Sequence, residues 1–100
     1  MDNLFFEQKY TENDGKTKYY NEDQYAIDLQ ESIIKRILFL CRTRKMSMNE
    51  LARKSGLTPS TVKSIIYGKS KNTGILTIRY LCIGFEISLE EFFHSRLFFA

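Results

Sequence analysis

Between Met46 and Gly68 the apolar positions fall at helical spacing in two short runs, parted by a polar break. Leu51 and Ala52 form the inward face of the first run; Val62, Ile65 and Ile66, at spacings of three and four, form that of the second. Each run opens on a start signal. Ser47 is placed to accept from the first backbone N–H groups, and Glu50 three residues on completes a capping-box pattern. Gly56 offers the positive φ that ends a helix at low cost. Thr58 then starts a second helix, with Pro59 at the first helical position, where its missing N–H is no loss. The pattern predicts helices over 48–55 and 59–67, joined by a tight turn at Ser55-Gly56-Leu57. Two helices around a Gly-containing turn make a helix-turn-helix, whose second helix can enter a DNA major groove.

The flanking pattern is helical too. Asn21 with Gln24 reads as an N-terminal box, and a helix over about 22–44 follows without Pro or Gly. Ile27, Ile34, Leu38 and Cys41 lie along one stripe of it, with Ile33, Ile37 and Leu40 beside them. Arg42, Arg44 and Lys45 suit its negative end. After the polar loop Gly68–Gly74, a helix over 75–85 is expected to bury Ile75, Ile78, Leu81, Cys82 and Phe85. Ser88 caps a last helix, 89–98, with Glu90 and Glu91 in its first turn. The expected fold is all-α, a five-helix unit over 21–100. Residues 1–20 form an aromatic arm, either a β-hairpin turning at Asp14-Gly15 or a partly disordered tail. Its Phe5, Phe6, Tyr10, Tyr19 and Tyr20 are too many aromatics for a solvated linker and are expected to pack on the domain or on a second subunit.

Composition narrows the function classes. The chain is 43% apolar and 27% charged, a globular balance, and its length fits one small domain. No apolar run approaches the roughly 20 residues that span a membrane, and no signal-peptide layout opens the chain, so a cytoplasmic location is expected. Cys41 and Cys82 sit in apolar stripes and read as buried, reduced thiols. With His94 alone beside them, no metal site or other cofactor is expected. Lacking a phosphate-cradling Gly loop or a carboxylate pair beside a nucleophile, the chain is not expected to be an enzyme. The net charge of +3 hides a split: residues 1–30 carry seven acids and three lysines, whereas residues 35–71 carry ten Lys or Arg and one acid, Glu50. A cationic segment that coincides with the helix-turn-helix suits phosphate binding.

From Ile33 to Phe93 the chain resembles the Cro and lambda-repressor type of regulator, often called the XRE family. Arg36-Ile37-Leu38-Phe39-Leu40 meets that family's Arg-Ile-x-x-Leu in its first helix, and Met46-Ser47-Met48-Asn49-Glu50-Leu51-Ala52 its Leu-Ser-Gln-x-Glu-Leu-Ala. The turn Gly56-Leu57, the closing Gly68 and the segment Ile87-Ser88-Leu89-Glu90-Glu91-Phe92-Phe93 also match. Two positions depart: the frequent Gln of the second helix is Met48 here, and the acidic or polar position late in the recognition helix is Ile66.

The resemblance implies a lambda-repressor-like fold and sequence-specific binding of double-stranded DNA, with helix 59–67 in the major groove. It places base-edge contacts at Pro59, Ser60 and Ser64, with Lys63 nearby. Chemically, Pro59 offers only an apolar surface, Ser60 and Ser64 read several bases, and Lys63 can donate to guanine O6 and N7. Lys69, Ser70, Lys71 and Asn72 resemble the family's phosphate-contacting loop; Asn49 at the head of the second helix, Thr61 and Tyr67 are assigned to phosphates with them. Such proteins act as dimers on half-sites about 34–36 Å apart. A dimeric repressor that occludes a promoter is the leading expectation, paired through Phe93, Leu97, Phe98 and Phe99 or through the arm. The alternative is an antitoxin or other protein-interaction module, with or without DNA binding, whose partner sits on the aromatic surfaces.

Overall fold

The computed structural model describes residues 9–11, 17–19 and 22–99, with side chains from residue 28 onward. Two short strands, β1 (Lys9–Thr11) and β2 (Thr17–Tyr19), pair antiparallel with Tyr10 opposite Lys18. The expected Asp14-Gly15 turn, the Asn21 cap, and the packing of Phe5, Phe6, Tyr10, Tyr19, Tyr20 and Ile27 lie outside the described residues. Five helices follow: α1 (Glu22–Thr43), α2 (Met48–Ser55), α3 (Pro59–Ile66), α4 (Ile75–Phe85) and α5 (Leu89–Phe93), then a 3-10 turn, Arg96–Phe98. The helical domain is all-α.

Start and stop signals act locally. Ser47 Oγ accepts from Glu50 N at 3.1 Å, Thr58 Oγ1 from Thr61 N at 3.2 Å, and Ser88 Oγ from Glu91 N at 3.0 Å. The carboxylate of Glu50 faces Lys54, 3.8 Å away and one turn along, rather than completing the box. Gly56 closes α2 at φ +73°, and Leu57 N–H returns to Ala52 O at 3.0 Å. Two further closures of this kind fall on residues with a Cβ: Lys45 (φ 54°) after α1 and Glu86 (φ 59°) after α4. Met46 N–H then reaches Cys41 O at 2.9 Å, and Ile87 N–H reaches Cys82 O at 3.0 Å.

One core joins all five helices. Ile33, Ile37, Leu40 and Cys41 come from α1, Leu51 and Ala52 from α2, Val62 and Ile65 from α3. Ile78, Leu81, Cys82 and Phe85 of α4, Ile87, and Phe92 of α5 complete it. At the α2–α4 crossing the helices approach closely: a Cβ on Gly84 would collide with Ser55 Oγ and stand 3.2 Å from the backbone N of Ser55. Ser55 is buried there with a hydroxyl that has no partner.

Three expectations need correction. Leu38 is 40% exposed, because the core-facing stripe of α1 runs through Ile33, Ile37, Leu40 and Cys41, one helical step away from the Ile27–Ile34–Leu38 line. Ile75 is also exposed; as the first residue of α4 it stands at the rim of the core. The last helix stops at Phe93 and does not continue to Phe98. Ser95 adopts an extended backbone and its Oγ accepts from Leu97 N at 3.2 Å, which starts the separate 3-10 turn.

Long side chains of α1 and of the turn after it tie the bundle's ends. Arg36 donates from Nε to Phe92 O at 2.7 Å and from Nη2 to Glu91 O at 2.8 Å, so a cation meets the open carbonyls that end α5. Arg44 donates in the same way to Phe85 O at the end of α4.

Candidate nucleic-acid interface

Burial of Val62 and Ile65 fixes which way α3 faces. With those two side chains in the core, helical geometry turns Pro59, Ser60 and Lys63 outward, and all three are exposed; Ser64 is half-buried at the edge of the same face. Thr58 Oγ1 lies 3.2 Å from Ser60 Oγ and 2.9 Å from Thr61 Oγ1, a cluster of hydroxyls at the helix head. Tyr67, just past the helix, is 64% exposed.

The loop after α3 folds back beside it. Gly68 takes φ +79°, and the amides of Lys69 and Ser70 both return to Ser64 O, at 2.9 and 3.0 Å. An open notch of about 350 Å³ results, lined by Ser60, Thr61 and Ser64 from α3, Ser70, Asn72 and Thr73 from the loop, and Thr77 from α4. Beside Ile65 and Gly74, its walls carry hydroxyls and an amide, groups that donate to phosphate oxygens or base edges. Lys69 and Lys71 are exposed on the loop.

The structure thus gathers Ser60, Thr61, Ser64, Ser70 and Asn72 around one notch, with exposed Pro59, Lys63, Tyr67, Lys69 and Lys71 on the same helix and loop. Asn49 stands apart, exposed in the first turn of α2. Of the cations between residues 35 and 71, Arg36 and Arg44 are engaged with backbone carbonyls and Lys54 with Glu50. Arg44 therefore serves the fold as a cap.

Residues 36–94 match the family model of the Cro/C1-type helix-turn-helix DNA-binding domain. The chain belongs to that family. It is a family of DNA-binding regulators rather than enzymes, and DNA is the partner that the match supports. The comparisons with curated proteins and with solved structures return no match. In this Cro/C1-type domain the matched span opens at Arg36, so the first half of α1 and the β1–β2 arm lie beyond it.

The C-terminal aromatics divide into two groups. Phe93 and Phe98 are half-buried against the core, their ring centres 4.9 Å apart in an edge-to-face pair, and Phe92 lies 5.0 Å from Phe93. Leu97 is 36% and Phe99 68% exposed. Leu97 borders a groove with Leu38, Phe39 and Arg42, and Phe99 borders another with Ile75 and Leu89.

Among the described residues no cluster of three or more His, Cys, Asp or Glu could hold a metal ion, and no helix is long and apolar enough to cross a membrane. Burial raises the pKa of both thiols above the ordinary cysteine value; for Cys82 the nearby Arg79 and Arg36 oppose that rise.

One residue of this region carries no signal in the sequence. Gln30, on α1, reaches the loop after α3 with three hydrogen bonds. Its partners are two loop backbone groups and a hydroxyl some forty positions away, and no local pattern announces such a contact.

Proposed function

We propose that this chain is a cytoplasmic, sequence-specific regulator of transcription that sets α3 into the DNA major groove. The outward face of α3 supports this reading. Pro59, Ser60, Lys63 and Ser64 project over a buried Val62–Ile65 rib, with the Lys69–Asn72 loop at one end. Lys63 supplies discrimination by donating to guanine O6 and N7; Ser60 and Ser64 add weaker, more tolerant contacts. Thr61, Tyr67, Lys69, Ser70, Lys71 and Asn72 hold phosphates, and Asn49 holds another at the head of α2. Such contacts set register and affinity without reading sequence.

Two copies acting on paired half-sites give the simplest mechanism: a dimeric repressor that occludes a promoter. Of the C-terminal residues proposed for pairing, Leu97 and Phe99 offer the exposed surface, while Phe93 and Phe98 support it from the core side. The same exposure favours one alternative, an antitoxin-like module that holds a protein partner there.

Fluorescence anisotropy with two duplexes tests the reading, one from the region upstream of the gene and one scrambled, each at about 50 and 200 mM salt. Tighter and less salt-sensitive binding to the upstream duplex is the expected result. Equal binding to both would remove sequence specificity for that region, and binding to neither would leave the protein-partner alternative.

A further inference from the structure

We propose that Gln30 is a positioning residue for DNA binding: it holds the loop after α3 in the shape that presents Lys71 and Asn72 to the phosphate backbone. This rests on the reading of that loop as a phosphate contact. The Gln30 carboxamide donates from Nε2 to Ser70 O at 3.3 Å and to Thr73 Oγ1 at 2.8 Å, and its Oε1 accepts from Thr73 N at 3.1 Å. Ser70 O can only accept and Thr73 N–H can only donate, so the bond partners dictate which end of the amide faces which group. A carboxylate lacks the donors and an ammonium lacks the acceptor; Gln has both, at the reach required.

The two residues that Gln30 grips, Ser70 and Thr73, bracket Lys71 and Asn72, both exposed. Upstream, the loop is tied to α3 through Ser64 O, and downstream it runs into α4, where Ile78 N–H bonds Gly74 O at 3.1 Å. The tip between these anchors is held across the bundle by Gln30. A loop ordered before binding does not lose that freedom when DNA arrives, so its lysine meets phosphate at lower entropic cost. Gln30 lies outside the span that matches the family, on the part of α1 that extends past it.

The test is a double-mutant cycle on a mixed-sequence duplex, which reads phosphate contacts whatever the operator. Gln30→Met keeps length and helix propensity and removes all three hydrogen bonds. Binding is measured by anisotropy at about 50 and 200 mM salt for the wild type, Gln30→Met, Lys71→Ala and the combined variant. Lys71→Ala is expected to weaken binding and flatten the salt dependence by about 0.9 in the log–log slope. Gln30→Met is expected to weaken binding about tenfold and flatten the slope in the same sense. The combined variant should bind within about twofold of Lys71→Ala alone, because both changes remove the same contact. A purely structural loss would lower the active fraction and leave the slope unchanged. Thr73→Val, which removes only the hydroxyl acceptor, should fall between wild type and Gln30→Met and guards against a poorly folding Gln30 variant. Wild-type affinity and slope in Gln30→Met, beside a weakened Lys71→Ala, would overturn the proposal and leave the phosphate loop standing. Full additivity in the combined variant would overturn it too. An unaffected Lys71→Ala would remove the loop reading and this proposal with it.

Discussion

The helix-turn-helix and the C-terminal segment are both made of short helices that start on a Ser or Thr cap, yet they are stabilised in different ways. In α2 and α3 every boundary is set by near neighbours: Ser47 on Glu50 N, Gly56 in the left-handed region, Thr58 on Thr61 N, Pro59 in the first turn. Past Phe92 the chain is held from a distance. Arg36, more than fifty residues earlier, holds the carbonyls that end α5, and Phe93 and Phe98 fold back onto the core. Locally specified elements can present an exposed face to a ligand without losing shape. Remotely specified ones depend on the whole bundle.

The largest expected effect lies where the two regions share the core. Phe92→Ala removes a fully buried ring that touches Phe93, and should lower unfolding stability by about 3–5 kcal/mol in urea titration. Phe99→Ala, on an exposed ring, should stay within about 0.5 kcal/mol of wild type in the monomer. A comparable loss at both sites would erase the distinction drawn between the inner and outer aromatics.

Next comes the remote tie. Arg36→Leu leaves the Glu91 and Phe92 carbonyls without their charged donor, and a loss of about 1.5–3 kcal/mol is expected. Amide exchange should quicken in α5 and the 3-10 turn before it does in α2 or α3. Uniform acceleration through all five helices would instead show that Arg36 supports the bundle as a whole.

A smaller loss than at Phe92 or Arg36 belongs to the local caps. Thr58→Ala should cost about 1 kcal/mol, the usual value of a lost N-cap, and leave the α5 region unchanged. If Thr58→Ala destabilised the domain more than Arg36→Leu, local specification of the helix-turn-helix would be the wrong description.

The same contrast explains what could be read from the chain alone. The α2–α3 unit was legible because its caps, its glycine and its apolar spacing lie within about twenty residues of one another. The outward face of α3 followed from Val62 and Ile65 by helical periodicity. The end of α5 was not legible: Phe92, Phe93, Leu97 and Phe98 keep a helical spacing, and only the extended backbone at Ser95 breaks it. Leu38 and Ile75 read as core positions because each is apolar at a plausible register, whereas burial depends on which neighbours the bundle supplies. Arg36 and Arg44 counted toward a cationic surface, yet they bond carbonyls that become partners only after folding. Gln30 lies at the far end of this scale, a single polar residue whose role exists only in three dimensions.

In the proposed function the outer face of α3 reads sequence while the adjoining loop supplies affinity. Selection of bound duplexes from a random pool, with wild type, Lys63→Ala and Lys71→Ala side by side, tests it most directly. Wild type and Lys71→Ala are expected to enrich the same sequence, whereas Lys63→Ala loses or changes the preference at one position, a difference of about 1–3 kcal/mol there. An identical enriched sequence from Lys63→Ala, at undiminished affinity, would contradict the placement of α3 in the groove.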